Sequence, residues 1–283
     1  ETEQASWVVS SEPCGLDIVG ARFNDDVAPG ELVRFRAGET QPFRSRWIEE
    51  TPKLCVFELI YFARPDSRFF GESLYSYRKR IGQRLAQESP VEADLVIGVP
   101  DSGIPAAIGY SQATGIPFGD GLIKNRYVGR TFIQPTKAMR EAGIRVKLNP
   151  LPDVLEGQRI VVIDDSIVRG TTSRKLVVAL RDAGATEVHM RISSPPVTHP
   201  CFYGIDTDTQ DQLIAARLTL EEIKDHLKVD SLAYLSKEGM LEAAKAESAH
   251  FCSACFDGDY PIPMDQELLS SKLMMEPAGI ACR

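Results

Sequence analysis

Two short stretches of this chain, Leu95-Val96-Ile97-Gly98-Val99 and Arg159-Ile160-Val161-Val162-Ile163, are apolar almost without interruption. Such runs read as strands buried on both faces, the pattern of a parallel sheet. Each is followed by a polar, turn-rich loop and then by a helical period. Helices are predicted from about Ile104 to Ala113 and from about Thr172 to Ala183. Val188 to Ile192 reads as a third strand. Upstream, Ser73 is placed to cap a helix whose Leu74, Tyr77, Ile81 and Leu85 fall on one face. Repetition of strand, loop and helix predicts an α/β fold, a parallel sheet with flanking helices. Ligands in such sheets bind beyond the carboxyl ends of the strands.

The flanks differ. Trp7-Val8-Val9, Leu16-Asp17-Ile18-Val19 and Glu31-Leu32-Val33-Arg34-Phe35 read as short strands, with a turn at Pro29-Gly30. Residues 1–40 are too few for a domain and look like the tail of something larger. Lys124 to Asn149 holds Lys124, Arg126, Arg130, Lys137, Arg140, Arg145 and Lys147 and has no clear apolar period. It is predicted to be a mobile surface loop or lid. Thr219-Leu220-Glu221-Glu222 fits a capping box, and Ser236 is placed to cap a further helix running to about Glu247.

Composition adds limits. The chain is 43% hydrophobic and 25% charged, which suits a soluble globular protein. A formal net charge of -8 argues against a nucleic-acid binder but permits a local cationic pocket. No apolar run is long enough for a membrane span, and no secretory signal is visible. The first residue is Glu1 rather than Met. Of six cysteines, Cys252-Ser253-Ala254-Cys255 forms a CxxC, which alone is compatible with redox chemistry, zinc or chance.

The richest segment runs from Val161 to Thr172. A buried strand delivers Asp164 and Asp165, followed by Ser166, Gly170, Thr171 and Thr172 at the start of a helix. Backbone N–H groups at such a loop and helix N-terminus form an anion site, and glycine lets the backbone approach a phosphate closely. Two carboxylates beside a phosphate make sense if they grip sugar hydroxyls and a divalent cation such as Mg2+. The plainer alternative is a strand end with aspartates as helix caps.

This run resembles the phosphoribosyl pyrophosphate (PRPP) loop of type I phosphoribosyltransferases, and Gly98-Val99-Pro100-Asp101-Ser102-Gly103 resembles their pyrophosphate loop. Tyr61-Phe62-Ala63-Arg64-Pro65-Asp66-Ser67 and Lys124-Asn125-Arg126-Tyr127-Val128-Gly129-Arg130-Thr131-Phe132-Ile133 further resemble the glutamine amidophosphoribosyltransferase family. The resemblance implies transfer of ammonia, derived from glutamine in the complete enzyme, to C1 of PRPP. The products would be 5-phosphoribosylamine and pyrophosphate, in the first step of purine synthesis. It implies that Asp101, Ser102, Gly103, Asp164, Asp165, Ser166, Val168, Arg169, Gly170, Thr171 and Thr172 bind substrate. Ser102, Asp164 and Asp165 would hold Mg2+, and Lys124, Tyr127 and Arg130 would act from the closing loop. Cys55, Cys201, Cys252 and Cys255 match the ligand positions of the subgroup that carries a 4Fe-4S cluster. Cys14 and Cys282 match none.

The same resemblance divides the chain into a glutaminase remnant at 1–40, a type I phosphoribosyltransferase domain at 41–240 and a helical, cluster-binding segment at 241–283. An N-terminal-nucleophile glutaminase needs a first-residue cysteine, so no glutamine hydrolysis is expected with Glu1 in that place. Purine nucleotides are implied as inhibitors, together with a homo-oligomer, often a tetramer. A cytoplasmic or, in a plant, plastid location is also implied. Three other readings compete: a non-catalytic PRPP-binding regulator, a salvage transferase on the same fold and an iron-sulfur electron carrier. The Lys124–Ile133 run opposes the first and the Tyr61–Ser67 run the second. The phosphate loops oppose the third.

Overall fold

Four strands form the central sheet: β1 (Leu95–Gly98), β2 (Arg159–Asp164), β3 (Glu187–Ile192) and β4 (Ser231–Tyr234). All pair in parallel, in the order β4-β3-β2-β1. The computed structural model describes residues 6–36, 39, 41–48, 51–125, 127, 148–205, 207 and 209–262. Among these, no helix is long and apolar enough to cross a membrane.

The predicted helices are present. α1 (Leu74–Glu88) starts at Ser73, whose hydroxyl accepts from the Ser76 N–H. α2 (Ile104–Thr114), α3 (Thr171–Asp182) and α4 (Leu220–Leu227) follow, the last with the complete capping box at Thr219 and Glu222. The pleat of the sheet divides the core into two layers. Val96, Val161 and Ile163 pack with Tyr77, Ile81, Leu85 and Tyr110 of α1 and α2. Ile97, Ile160, Val162, Val188, Met190 and Ile192 pack with Leu176, Val177 and Leu180 of α3 and Ile223 and Leu227 of α4.

The winding direction changes between β1 and β2. After α2 the chain returns along the outer edge of β1, where Phe118 bridges Val96 in parallel. Val96 also pairs with Val161 on its other side. The chain therefore steps one way from β1 and the other way from β2 onward. This is the topological switch point at which α/β sheets open a crevice beyond their strand ends. The loops after β1 and β2 flank that crevice.

Several expectations change. Leu16 to Val19 is not a strand: Pro13–Ile18 is a short helix, with Pro13 in its first turn, where a missing N–H costs nothing. Trp7-Val8-Val9 has no regular structure. Glu31–Arg34 is a strand, paired with Phe43–Arg46, so the expected boundary at residue 40 falls inside a hairpin. The helix after Ser236 is short, Lys237–Glu242. There Arg80 of α1 donates to the Ala243 carbonyl from Nε at 3.0 Å and Nη2 at 2.6 Å, taking the acceptor that a further turn would use. β4 had not been read from the sequence. The predicted lid is described only at its roots, where Leu122–Lys124 pairs antiparallel with Leu148–Pro150. Arg126 and residues 128–147 lie outside the described residues.

α1 and α2 touch backbone to backbone at Gly82. A Cβ there would sit 1.9 Å from the Ala106 carbonyl oxygen of α2. Gly82→Ala is therefore expected to destabilise the fold by about 1–3 kcal/mol, the usual cost of overpacking, read as a lowered urea midpoint at unchanged m-value.

Candidate active site and cysteine cavity

The crevice at the switch point is built by two loops. Val99 N–H donates to the Ile163 carbonyl at 2.8 Å, continuing the β1–β2 ladder, and Gly103 N–H donates back to Val99 at 2.9 Å. This tight turn leaves Asp101 exposed and brings Ser102 inward. The Ser102 hydroxyl donates to Asp165 Oδ2, across the gap between the two loops. Ser166 donates to the other oxygen, Oδ1, at 2.6 Å.

Asp164 ends β2, in register with Ile192. Its Oδ1 accepts from the Asp165 N–H at 2.9 Å. Burial and the neighbouring charge of Asp165 push the Asp164 carboxyl well above its ordinary range. Asp165 is 7% exposed, and burial raises it too. Hydrogen bonds from Ser102 and Ser166, and the charge of Arg78, act in the opposite sense. Two adjacent, desolvated carboxylates are costly as a pair of anions. A divalent cation would relieve both, and oxygen donors suit Mg2+.

Beyond the pair, Ile167 is buried and the Val168 carbonyl accepts from the Ile214 N–H at 2.9 Å, which pins the loop. Arg169 is exposed. Gly170 turns the chain into α3 with φ 77°, a left-handed conformation that favours glycine. α3 has no side-chain cap, and Thr171 and Thr172 are exposed at its first turn. Their N–H groups, and the helix dipole, suit an anion at this point.

Lys124 ends the strand at the root of the predicted lid and forms an ion pair with Asp101. One predicted lid residue thus reaches the crevice loops. Tyr127 is fully exposed, its N–H bonded to Asn125 Oδ1 at 3.0 Å. Arg130 lies outside the described residues.

The four predicted cysteine ligands converge elsewhere. Cys55 and Cys252 are register partners in a two-residue parallel pair, Leu54–Cys55 with Phe251–Cys252. Together with Cys201 and Cys255 they line one cavity of about 300 Å³, with Tyr203 and Tyr260 also in its wall. None is in a disulfide. Burial raises the thiols of Cys55, Cys252 and Cys255, and the proximity of the other cysteines adds to it. The Tyr203 N–H donates to Cys201 Sγ at 3.5 Å, and nearby backbone N–H groups act in the opposite sense to burial at Cys55 and Cys252. Such donors stabilise thiolate sulfur. Among the described residues, no three His, Cys, Asp or Glu side chains converge closely enough for a single metal ion.

Arg78 had not been singled out from the sequence. It lies four residues after Leu74 and three before Ile81, on the buried stripe of α1, where a charged residue is an anomaly. Helical spacing alone carried that signal.

Known proteins share this fold. Residues 76–193 match the phosphoribosyl transferase domain family. The chain is 69% identical over 274 residues to the amidophosphoribosyltransferase of Synechococcus elongatus, covering 96% of this chain and 55% of that protein. The Bacillus subtilis amidophosphoribosyltransferase is 52% identical over 266 residues, covering 93% and 56%. A solved structure of glutamine PRPP amidotransferase from B. subtilis, complexed with ADP and GMP, superposes with a TM-score of 0.82 at 52% identity. It covers 91% of this chain and 57% of the other. The chain thus spans about half the length of the relatives it matches.

The raised Asp164 pKa has a stability consequence with a definite sign. The folded chain holds this proton more tightly than the unfolded chain, so stability is lost as pH rises above the ordinary Asp value of about 4. Asp164→Asn cannot ionise. In magnesium-free buffer it is expected to be more stable than the wild type at neutral pH, with the advantage vanishing as pH falls toward about 4. Urea midpoints across that range check this; a variant less stable at neutral pH contradicts it.

Proposed function

Because this chain belongs to the amidophosphoribosyltransferase family, we propose that it carries the phosphoribosyl-transferring part of such an enzyme. In this reading ammonia displaces pyrophosphate from C1 of PRPP to give 5-phosphoribosylamine. The observation that carries it is the Asp164–Asp165 pair at the switch point, clasped by Ser102 and followed by the uncapped start of α3.

The chemistry asks mainly for positioning and charge stabilisation. The C1 centre becomes oxocarbenium-like, with positive charge on the ribose and negative charge on the departing pyrophosphate. Asp164 and Asp165 would face the ribose hydroxyls, with Ser102 setting the Asp165 carboxylate. The backbone from Ser166 to Thr172 would hold the 5-phosphate. Asp101 and Gly103 belong to the pyrophosphate side. Lys124, with Tyr127 and Arg130, would close over the substrate and exclude water, which otherwise hydrolyses it. Mg2+ held by Asp164, Asp165 and Ser102 would neutralise charge on the pyrophosphate. Neutral ammonia needs no general base to attack. Its source would be glutamine, hydrolysed elsewhere in the complete enzyme.

The cysteine cavity supports a structural role for a 4Fe-4S cluster on Cys55, Cys201, Cys252 and Cys255. A cubane cluster accepts donors set wider apart than a single ion does, and four thiolates satisfy it. Purine nucleotides carry the same 5-phosphate and would compete at the Ser166–Thr172 loop. A cytoplasmic homo-oligomer fits the same reading, as does assignment of the segment ahead of the phosphoribosyltransferase domain to a glutaminase part, its end moved past the hairpin that spans residue 40, and of 241–283 to the cluster-bearing end.

Asp165→Asn is expected to raise the KM for PRPP about tenfold or more in an ammonia-dependent assay of pyrophosphate release. Unchanged kinetics would remove Asp165 from the site. Cys252→Ser is expected to abolish the broad visible absorbance of anaerobically purified protein and to lower folding yield. A wild type that is colourless, iron-free and stable would rule out the cluster.

A further inference from the structure

Arg78 is only 2% exposed, one of the largest fully buried side chains of the molecule. Its Nε donates to the Leu59 carbonyl at 2.8 Å and its Nη2 to the Ala63 carbonyl at 2.7 Å. These acceptors belong to the wide helical turn Glu58–Phe62 and the residue that ends it. Neither is charged. Among the described residues, no carboxylate lies within ion-pairing distance of the guanidinium. A buried cation in that position is strongly unfavourable unless an anion nearby compensates it.

Two carboxylates act on the guanidinium: Asp165, just past the end of β2, and more weakly Glu58, on the turn it braces. Val161 and Ile163 pack on α1 and α2, whereas Ile160 and Val162 pack on α3, and strand alternation carries Asp165 to the α1–α2 side, where Ser102, just ahead of α2, reaches it. α1, whose buried residues include Arg78, packs on that same side, and each charge acts on the other. Asp165 thus has a hydroxyl on each oxygen and a buried cation behind it. Among the described residues, Asp164 receives only the Asp165 N–H, and no cation acts on it.

We propose that Arg78 is a positioning residue for PRPP binding, its buried positive charge anchoring the Asp165 carboxylate between the Ser102 and Ser166 hydroxyls so that it meets the ribose in one orientation. This rests on the PRPP reading of the crevice. It makes the two neighbouring aspartates unequal: Asp165 is the fixed member and Asp164 the adaptable one. The same guanidinium braces the turn that follows Cys55, so charge and hydrogen bonding must be separated experimentally.

Two variants do so. Arg78→Gln keeps N–H donors toward Leu59 and Ala63 but carries no charge. Arg78→Lys keeps the charge and loses the fork of donors. PRPP affinity in the presence of magnesium is measured by titration calorimetry on the whole chain, alongside thermal unfolding and the ammonia-dependent kcat. Arg78→Gln is expected to bind PRPP about tenfold more weakly, with kcat reduced less than affinity, and Arg78→Lys to recover most of the loss. Arg78→Gln binding as tightly as the wild type overturns the proposal. So do Gln and Lys variants equally impaired in binding and equally lowered in unfolding temperature, since the residue is then only a brace. If Arg78→Gln does not fold, Arg78→Lys decides: wild-type affinity supports the proposal, and lost affinity overturns it. A wild-type chain that does not bind PRPP overturns the reading of the crevice and this inference with it.

Discussion

A β-strand turns successive side chains to opposite faces, and at the end of β2 that rule falls on two adjacent carboxylates. Alternation carries Asp164 to the side of Val162 and α3, and Asp165 to the side of Ile163, α1 and α2. The Asp164 backbone is held by the β3 ladder, whereas the Asp165 carboxylate, just past the strand, is held by the Ser102 and Ser166 hydroxyls. The crevice inherits its geometry from this constraint. The β1 loop must come close enough for Ser102 to reach Asp165, and it does so by extending the ladder through Val99 to Ile163. The segment proposed to face a phosphate must leave β2 and enter α3 within a few residues, which Gly170 permits through its left-handed turn.

Around this centre the molecule separates rigid parts from adaptable ones. α1 and α2 are packed to backbone contact at Gly82, and a buried cation ties α1 to the turn after Cys55. The lid root meets the site from the periphery, through the exposed ion pair of Lys124 with Asp101. A surface pair of this kind contributes little stability and separates easily. That suits the proposed role of Lys124, which would release one partner to engage another.

Much of this architecture was legible in the sequence, for identifiable reasons. The β1 and β2 runs are apolar on both faces, and Ser73 and Thr219 announce helix starts that the structure contains. The aspartate pair and the glycine-hydroxyl loop could be read because chemistry of that density has few other uses. The misreadings arose where local pattern and tertiary context part. Leu16–Val19 is apolar enough for a strand, but Pro13 sets up a helical turn instead. The helix after Ser236 stops where Arg80, distant in sequence, takes its carbonyl. β4 is only Ser-Leu-Ala-Tyr, too short to carry a period, and it exists because β3 offers an edge. Convergence of Cys201 on the CxxC and Cys55 was not readable from spacing and came from resemblance alone.

The pairing of Leu54–Cys55 with Phe251–Cys252 carries a consequence for how the chain assembles. It joins segments roughly two hundred residues apart, and a contact of such high order is slow to find and is rewarded only after the intervening chain has been ordered. The two-residue ladder is too short to hold itself together. It must therefore close late, as a latch over a sheet already formed, and Cys55 joins the CxxC pair only at that final stage. Before it, the CxxC pair and Cys55 meet any oxidant or metal separately. The order of folding, as much as the final geometry, thus determines what that cavity comes to contain.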